Sequence, residues 1–293
     1  MRPDDIACTH TPQIRRRCMT SRAPSRGSRT GLRAAKAHRP SADLSVTILG
    51  SGTNMHPERA AAGYLVDAGE PMLFDLGPRT LANAMKLRVD RHRITHLFFS
   101  HFHADHFSDF ITFYFDAVIH AKLVRPRPDL TLIGPRGSRT IFTKIIETFP
   151  VFAEAPFRTT MQEIGDETIQ VGAAQITART VEHTERLHCV GYRVESGGRS
   201  VVYSGDSMYC PALVSLCEGA NTAILDCSYS ATRPGPAHMH AGQCGQVAQE
   251  AQVGRLVLSH LYEHADRSDV VGQAARKFDG RIVKARDRLQ LTI

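Results

Sequence analysis

The feature that most constrains this chain is Ser100-His101-Phe102-His103-Ala104-Asp105-His106. Three imidazoles and a carboxylate fall within six residues, directly after the strand-like run Ile94–Phe99. His101 and His103 are two apart, so an extended backbone points both to one side. Two imidazoles on one side make half of a tetrahedral zinc shell. Asp105 and His106 crowd that ion and suit a second one a few ångströms away. The spacing alone therefore points to a metal site, and to a binuclear one.

Two ions need further ligands from later in the chain. His183 follows the strand-like Ile176–Val181, Asp206 lies in Tyr203-Ser204-Gly205-Asp206-Ser207, and His260 closes Leu258-Ser259-His260. Each is metal-competent and sits where a strand runs out. Taken singly, an Asp in such a position is an ordinary turn residue; as a group they complete a ligand set. His188 competes with His183 for the third-histidine role. Phe107, Phe110, Phe113, Tyr114 and Phe115 follow the first motif. They read as helix core, with a wall for a planar substrate group as the alternative.

The surrounding pattern fits one large α/β unit. Short strands are expected at Ser45–Leu49, Gly63–Asp67, Met72–Asp75, Leu130–Ile133, Thr168–Val181, Val190–Glu195, Ser200–Tyr203, Thr222–Leu225, Arg255–Leu258 and Arg281–Lys284. Helices are expected at Leu81–Leu87, Asp109–Lys122, Arg136–Thr148, Ala241–Ala251 and Ser268–Phe278. A strand-rich first half and an alternating second half call for mixed sheets with helices outside. No internal repeat and no Pro/Gly/Ser linker divides residues 44–293.

Charge separates the remainder. Residues 1–43 carry ten basic and three acidic side chains, which accounts for the whole formal charge of +7; the other 250 residues hold 26 of each sign. The segment 1–43 has almost no large apolar residues and reads as a disordered basic extension. The neutral remainder lacks the overall basic excess that usually accompanies nucleic-acid binding. Seven cysteines at irregular spacing, with no CxxC pair, read as reduced thiols in a cytoplasmic protein. No apolar h-region follows Arg15-Arg16-Arg17, and no apolar run reaches bilayer length.

Together these motifs resemble the metallo-β-lactamase superfamily over about 44–293. The likeness rests on Leu49-Gly50-Ser51-Gly52-Thr53, Leu73-Phe74-Asp75-Leu76-Gly77, the HxHxDH run, His183-Thr184-Glu185 with Gly191-Tyr192-Arg193, Ser204-Gly205-Asp206 and Leu258-Ser259-His260. It implies a four-layer αβ/βα sandwich of two mixed sheets with outer helices. It also implies a hydrolase with two Zn²⁺, or Mn²⁺ or Fe²⁺ in their place, acting through a metal-bridging hydroxide. By position, His101, His103 and His183 would hold the first ion, Asp105, His106 and His260 the second, and Asp206 would bridge them.

Ala237-His238-Met239-His240-Ala241-Gly242-Gln243 resembles the RNase Z and arylsulfatase-like branch. His238 would be its catalytic histidine, working with Asp105, while His240 stands where that branch has a hydroxyl residue. The implied activity is a phosphodiesterase on an RNA 3′ end or a small or cyclic diester. The implied assembly is a homodimer, with no membrane partner. No long Gly/Pro-rich basic arm is inserted, as RNase Z enzymes usually have for tRNA, so a small diester is at least as good a fit. The alternatives are a lactone, thioester or sulfate-ester hydrolase on the same metal core, or a ligand-sensing protein without activity.

Overall fold

The computed structural model describes residues 43–293. The expectation of a disordered extension over residues 1–43 therefore lies outside the described residues, apart from Asp43. The strands are β1 (Ser45–Gly50), β2 (Gly63–Asp67), β3 (Pro71–Phe74), β4 (His96–Phe98), β5 (Leu130–Gly134), β6 (Thr159–Glu163), β7 (Thr168–Val171), β8 (Ala174–Val181), β9 (Cys189–Ser196), β10 (Arg199–Tyr203), β11 (Thr222–Asp226), β12 (Arg255–Ser259), β13 (Arg281–Lys284) and β14 (Leu289–Thr292). The helices are α1 (Thr80–Lys86), α2 (Ala104–Phe107), α3 (Asp109–Leu123), α4 (Ser138–Thr148), α5 (Pro150–Ala153), α6 (Pro211–Cys217), α7 (Ala241–Glu250), α8 (Glu263–Asp266) and α9 (Val270–Ala275).

Two seven-stranded sheets result, ordered β14-β1-β2-β3-β4-β5-β6 and β13-β12-β11-β10-β9-β8-β7. Each is mixed: β3 to β6 and β10 to β13 pair in parallel, and the other pairs are antiparallel. Strands buried on both faces read as continuous apolar runs, as in Thr222-Ala223-Ile224-Leu225-Asp226, where every residue is buried. One core fills the space between the sheets, with Phe74 stacked on Phe98 and Tyr192 edge-on to both. A second packs the first sheet against α1, α3 and α4. A third packs the second sheet against α6, α7 and α9. Three apolar layers between four structural ones make the αβ/βα sandwich expected from the sequence.

Several expected elements differ. Thr168–Val181 is a hairpin, not one strand, because Gly172 takes a left-handed φ of 54° and turns the chain between β7 and β8. The last expected helix contracts to Val270–Ala275. β6 and β14 escaped the sequence reading. Both are edge strands, half exposed and largely polar, so they carry little apolar signal. α6 was missed too, although Pro211 at its first turn is a start signal.

Polar stitches hold loops of the two halves together beside the strand ends. Arg59 makes a two-pronged pair with Asp266 at 2.8 and 2.7 Å, and its third nitrogen reaches Ser51 Oγ and the Ala285 carbonyl. Lys284 adds a 2.6 Å contact to the same carboxylate. Partial burial opposes charge on Asp266, but Arg59 and Lys284 outweigh it and hold the carboxyl below its ordinary range. A depressed folded-state pKa means the stabilisation is present above the unfolded value of about 4 and is lost as pH falls below it. Asp266→Asn is expected to cost about 2 kcal/mol at neutral pH. Denaturant melts should show that difference shrinking as the buffer is taken below pH 4.

Candidate metal centre

The parallel strands deliver their C-terminal ends to one edge, where open α/β sheets commonly place their sites. His101 lies just past β4, His183 past β8, Asp206 past β10 and His260 directly after β12. His103 precedes α2, which carries Asp105 and His106. The turn after β10 needs Gly205 (φ 61°): a Cβ there would lie 2.8 Å from the Ser100 Cβ, so glycine allows the Asp206 loop to close on the histidine loop.

The side chains converge. His103 Nδ1 lies 3.0 Å from His101 Nε2 and 3.2 Å from His183 Nε2, and His106 Nε2 lies 3.2 Å from His260 Nε2. His101, His103, His183 and Asp206 form one group whose ligand atoms all lie within 4.8 Å of one another; Asp105, His106 and His260 form a second. Asp206 faces both. Its Oδ2 is 3.6 Å from His101 and 3.8 Å from His183, while its Oδ1 is 3.1 Å from His106 and 3.3 Å from His260. That buried Oδ1 has no hydrogen-bond partner among the described residues.

The outer nitrogens are tied down. His106 Nδ1 is 2.7 Å from Asp75, His183 Nδ1 is 2.7 Å from the Ala237 carbonyl, and His260 Nδ1 is 3.0 Å from Ser228 Oγ. A ring that donates outward through Nδ1 turns the lone pair of Nε2 inward, which is the usual second layer of a metal site. The donor set, nitrogen and carboxylate oxygen around a buried orphaned oxygen, fits divalent cations. The electrostatics agree. Burial opposes charge on His106, yet Asp206 and Asp75 outweigh it and raise its pKa to about 10. His260 is raised in the same way by Asp206, Asp105 and Asp226, while burial and neighbouring imidazoles lower His101. The carboxylates create a field that draws positive charge to this point.

His183 is buried in the cluster, while its rival His188 is exposed and outside it. His238 lies at the rim, its Nδ1 2.7 Å from Asp226 and 3.8 Å from Asp206. Burial opposes its charge, but the Asp226 carboxylate prevails and its pKa lies above the ordinary histidine value. His238 also falls in a third group of possible ligands with Asp206, Asp226 and His260, but its Nδ1 is taken up by the Asp226 bond, which makes the pair an Asp–His dyad. His240 serves elsewhere: its Nδ1 accepts from the backbone N–H of Gly242 and Gln243, capping α7, and Gln243 returns the bond. An imidazole thus performs the task of a serine or threonine cap. Phe110, Phe113 and Tyr114 are buried in the helix-side core, so those three are core and not a substrate wall.

Two functional positions were missed. Asp226 ends β11 and accepts from Ser207 N, Ser228 N, Ser228 Oγ and His238. Asp75 accepts from Ser100 N, Ser100 Oγ, His106 and Tyr203. Both are carboxylates directly at or after strands that end at the site edge, and that placement was the available signal. Asp75 and His260 also hold left-handed backbone, φ 54° and 56°. Such strain costs about 1–3 kcal/mol per residue and persists where the surroundings enforce it.

The family model described as a beta-lactamase superfamily domain matches residues 64–261. A Mycobacterium leprae protein is 30% identical over 80% of this chain and 84% of its own length. The probable metallo-hydrolase YhfI of Bacillus subtilis is 25% identical over 82% of this chain and 96% of its own. The YhfI crystal structure superposes with a TM-score of 0.76 at 24% identity, covering 86% of this chain and all of that one. A ribonuclease Z of Mycolicibacterium gilvum is 26% identical over 82% of this chain and 92% of its own.

Asp75→Asn keeps the left-handed backbone but removes the charge behind His106. It is expected to lower zinc affinity about 10- to 100-fold in a chelator competition, with the fold retained in circular dichroism. His240→Ala should cost about 1 kcal/mol in thermal stability through the lost cap and leave zinc affinity unchanged.

Proposed function

The chain belongs to the metallo-β-lactamase superfamily of metal-dependent hydrolases, and from that premise we propose that it is a binuclear-zinc phosphodiesterase of the RNase Z-like branch, with residues 44–293 as its catalytic domain. The observation that carries the proposal is the pair of donor groups sharing Asp206, with the His238–Asp226 dyad beside them. His101, His103 and His183 would hold one ion and Asp105, His106 and His260 the other, with Asp206 between the two groups.

Divalent ions held by these residues would lower the pKa of water and offset negative charge on the phosphoryl oxygens. The protein's own groups do the rest. Asp105, with 14% of its side chain exposed, lies 3.5 Å from His260 at the open side of the cluster; there it would orient the attacking oxygen. The Asp226 carboxylate favours the protonated form of His238, and that proton would go to the departing oxygen. Asp226 fixes the ring so that the nitrogen opposite the dyad is the one left for substrate. Loss of such an acid costs typically 10²–10⁴-fold.

A small or cyclic diester suits the site better than tRNA. The stretch His106–His183 is occupied by strands, helices and short connections of the sandwich, and the longest connection within Asp206–His260 is residues 227–240, between β11 and α7. The zero net charge of residues 44–293, once Asp43 is set with the basic tail, supports the same choice. The expected reducing compartment accords with five buried free thiols among the described residues. No described helix is long and apolar enough to cross a membrane. A homodimer belongs to the same reading, supported by the apolar side chains that α3 and its end expose at Phe115, Leu123 and Val124.

Zinc-loaded protein should hydrolyse bis(p-nitrophenyl) phosphate. Asp206→Ala should abolish turnover and weaken zinc binding. His238→Ala should lower kcat by about 10²–10⁴ while zinc content stays at the wild-type level. Zinc bound without turnover of any diester would sink the reading and favour a lactone, thioester or sulfate-ester substrate.

A further inference from the structure

A cleft outside the metal centre gathers cations that the protein itself does not neutralise. Two adjoining cavities, of about 340 and 150 Å³, share Glu58, Asn83, Lys86 and Asp287 in their walls. Arg59, Asp266, Arg286 and Arg288 also line the larger, and Arg79 the smaller. The walls come from the loop after β1, from α1 and the residue before it, from α8, and from the β13–β14 connection. None of these residues belongs to the metal-competent groups.

Five cations therefore face three carboxylates, and two of the carboxylates are already engaged. Asp266 is held by Arg59 and Lys284. Asp287 accepts from Ser51 N, Ser51 Oγ, Ala60 N and Asn83 Nδ2, which occupies both its oxygens. Glu58, exposed at the rim, forms no ion pair among the described residues. On the basic side, Lys86, Arg286 and Arg288 are exposed and make no side-chain hydrogen bond or ion pair among the described residues. The Arg79 guanidinium bonds the carbonyls of His56 and Pro57, so no carboxylate balances it.

Scattered surface cations are ordinarily just solvated. These differ because the backbone holds them around a concavity. Arg79 and Arg288 both take left-handed backbone, φ 75° and 65°. Arg288 N donates to the Ile48 carbonyl at 2.7 Å, and buried Asn83 donates to the Leu49 carbonyl and to Asp287 beneath the cleft. Left-handed conformations are uncommon for residues other than glycine and gather at ligand clamps. Guanidinium forks match the oxygens of a phosphoryl group. The cavity is in the size range of small-molecule sites, but its walls are polar and charged where such sites are mostly apolar. With residues 44–293 neutral overall, an isolated pocket of this kind suits a compact anion and not a polynucleotide track.

We propose that this cleft, framed by Arg79, Lys86, Arg286 and Arg288, is a second anion site that takes a phosphoryl dianion apart from the site of hydrolysis. The proposal does not depend on which bond the metal centre cleaves. A free phosphate ion and a small phosphorylated molecule present the same chemistry, and the test separates them.

Inorganic phosphate and ribose 5-phosphate are titrated calorimetrically into zinc-loaded protein at low ionic strength, where exposed charges are least screened. The double variant Lys86→Gln/Arg286→Gln removes two exposed, unpartnered cations and should melt like the wild type. It should weaken one equivalent of each ligand per chain by roughly tenfold or more. Phosphate inhibition of bis(p-nitrophenyl) phosphate turnover is set at the metals and should not change. Glu58→Gln removes a repelling charge and should tighten the same equivalent by up to about fivefold. Tighter binding of ribose 5-phosphate than of phosphate would assign the cleft to a phosphorylated molecule, and equal binding would assign it to the ion. Should the double variant fold poorly, Arg288→Asn, which tolerates left-handed backbone, should show the same loss. No phosphate binding by the wild type, or unchanged affinity and stoichiometry in the variants, would overturn the site. A protein that hydrolyses no diester yet loses one phosphate equivalent in the variant would keep this site and lose only the phosphodiesterase reading.

Discussion

The arrangement depends on one constraint: like charges gathered in a dry place need opposite charge among them. Asp75, Asp206 and Asp226 are almost fully buried, and Asp105 is near them. Moving a lone carboxylate out of water is prohibitively costly, so such groups persist only when paired or coordinating. Here the inner partners are imidazole nitrogens that approach one another to within 3.0–3.2 Å. Imidazole nitrogens that close together need a proton or a cation between them. A cation between them resolves both problems, and the sandwich supplies the stiffness that keeps the groups in place.

That stiffness is built in shells. Five donors come from loops just past strand ends, so the sheets fix their origins. Behind them, Asp75, Ser228 and the Ala237 carbonyl fix ring orientation. Behind those, Tyr203 and Ser100 bond Asp75, and Tyr64 bonds Ser259 at 2.8 Å across the space between the sheets. The inter-sheet core thus ends in a polar layer that merges into the metal centre. Strained backbone at Asp75 and His260 sits in this layer, where the surrounding bonds outweigh its cost.

The sequence disclosed the first layer and little of the second. His101, His103, Asp105 and His106 announce themselves by spacing, and His183, Asp206 and His260 by following apolar strands. Asp75 was visible only as part of a strand-end motif and Asp226 not at all, since an Asp after a strand is the commonest of turn signals. The cluster of aromatic rings beside the metal centre was equally hidden. The phenylalanines after the HxHxDH run drew attention by density, yet Phe110, Phe113 and Tyr114 are core, while Tyr229, Tyr262 and His264 meet only through folding. Central strands were legible because both faces are apolar. The edge strands β6 and β14 were not, because their alternation is weak and partly polar. His240 shows why a motif departure is not a defect: its ring nitrogen accepts the same backbone bonds a hydroxyl would.

The most direct test of the account is a zinc titration of metal-stripped protein followed by thermal melting. The account predicts saturation at two ions per chain and a Tm that climbs with free zinc, because ligands that bind only the folded state stabilise it by mass action. A protein that binds no zinc, and melts at one temperature whatever the metal concentration, would contradict it.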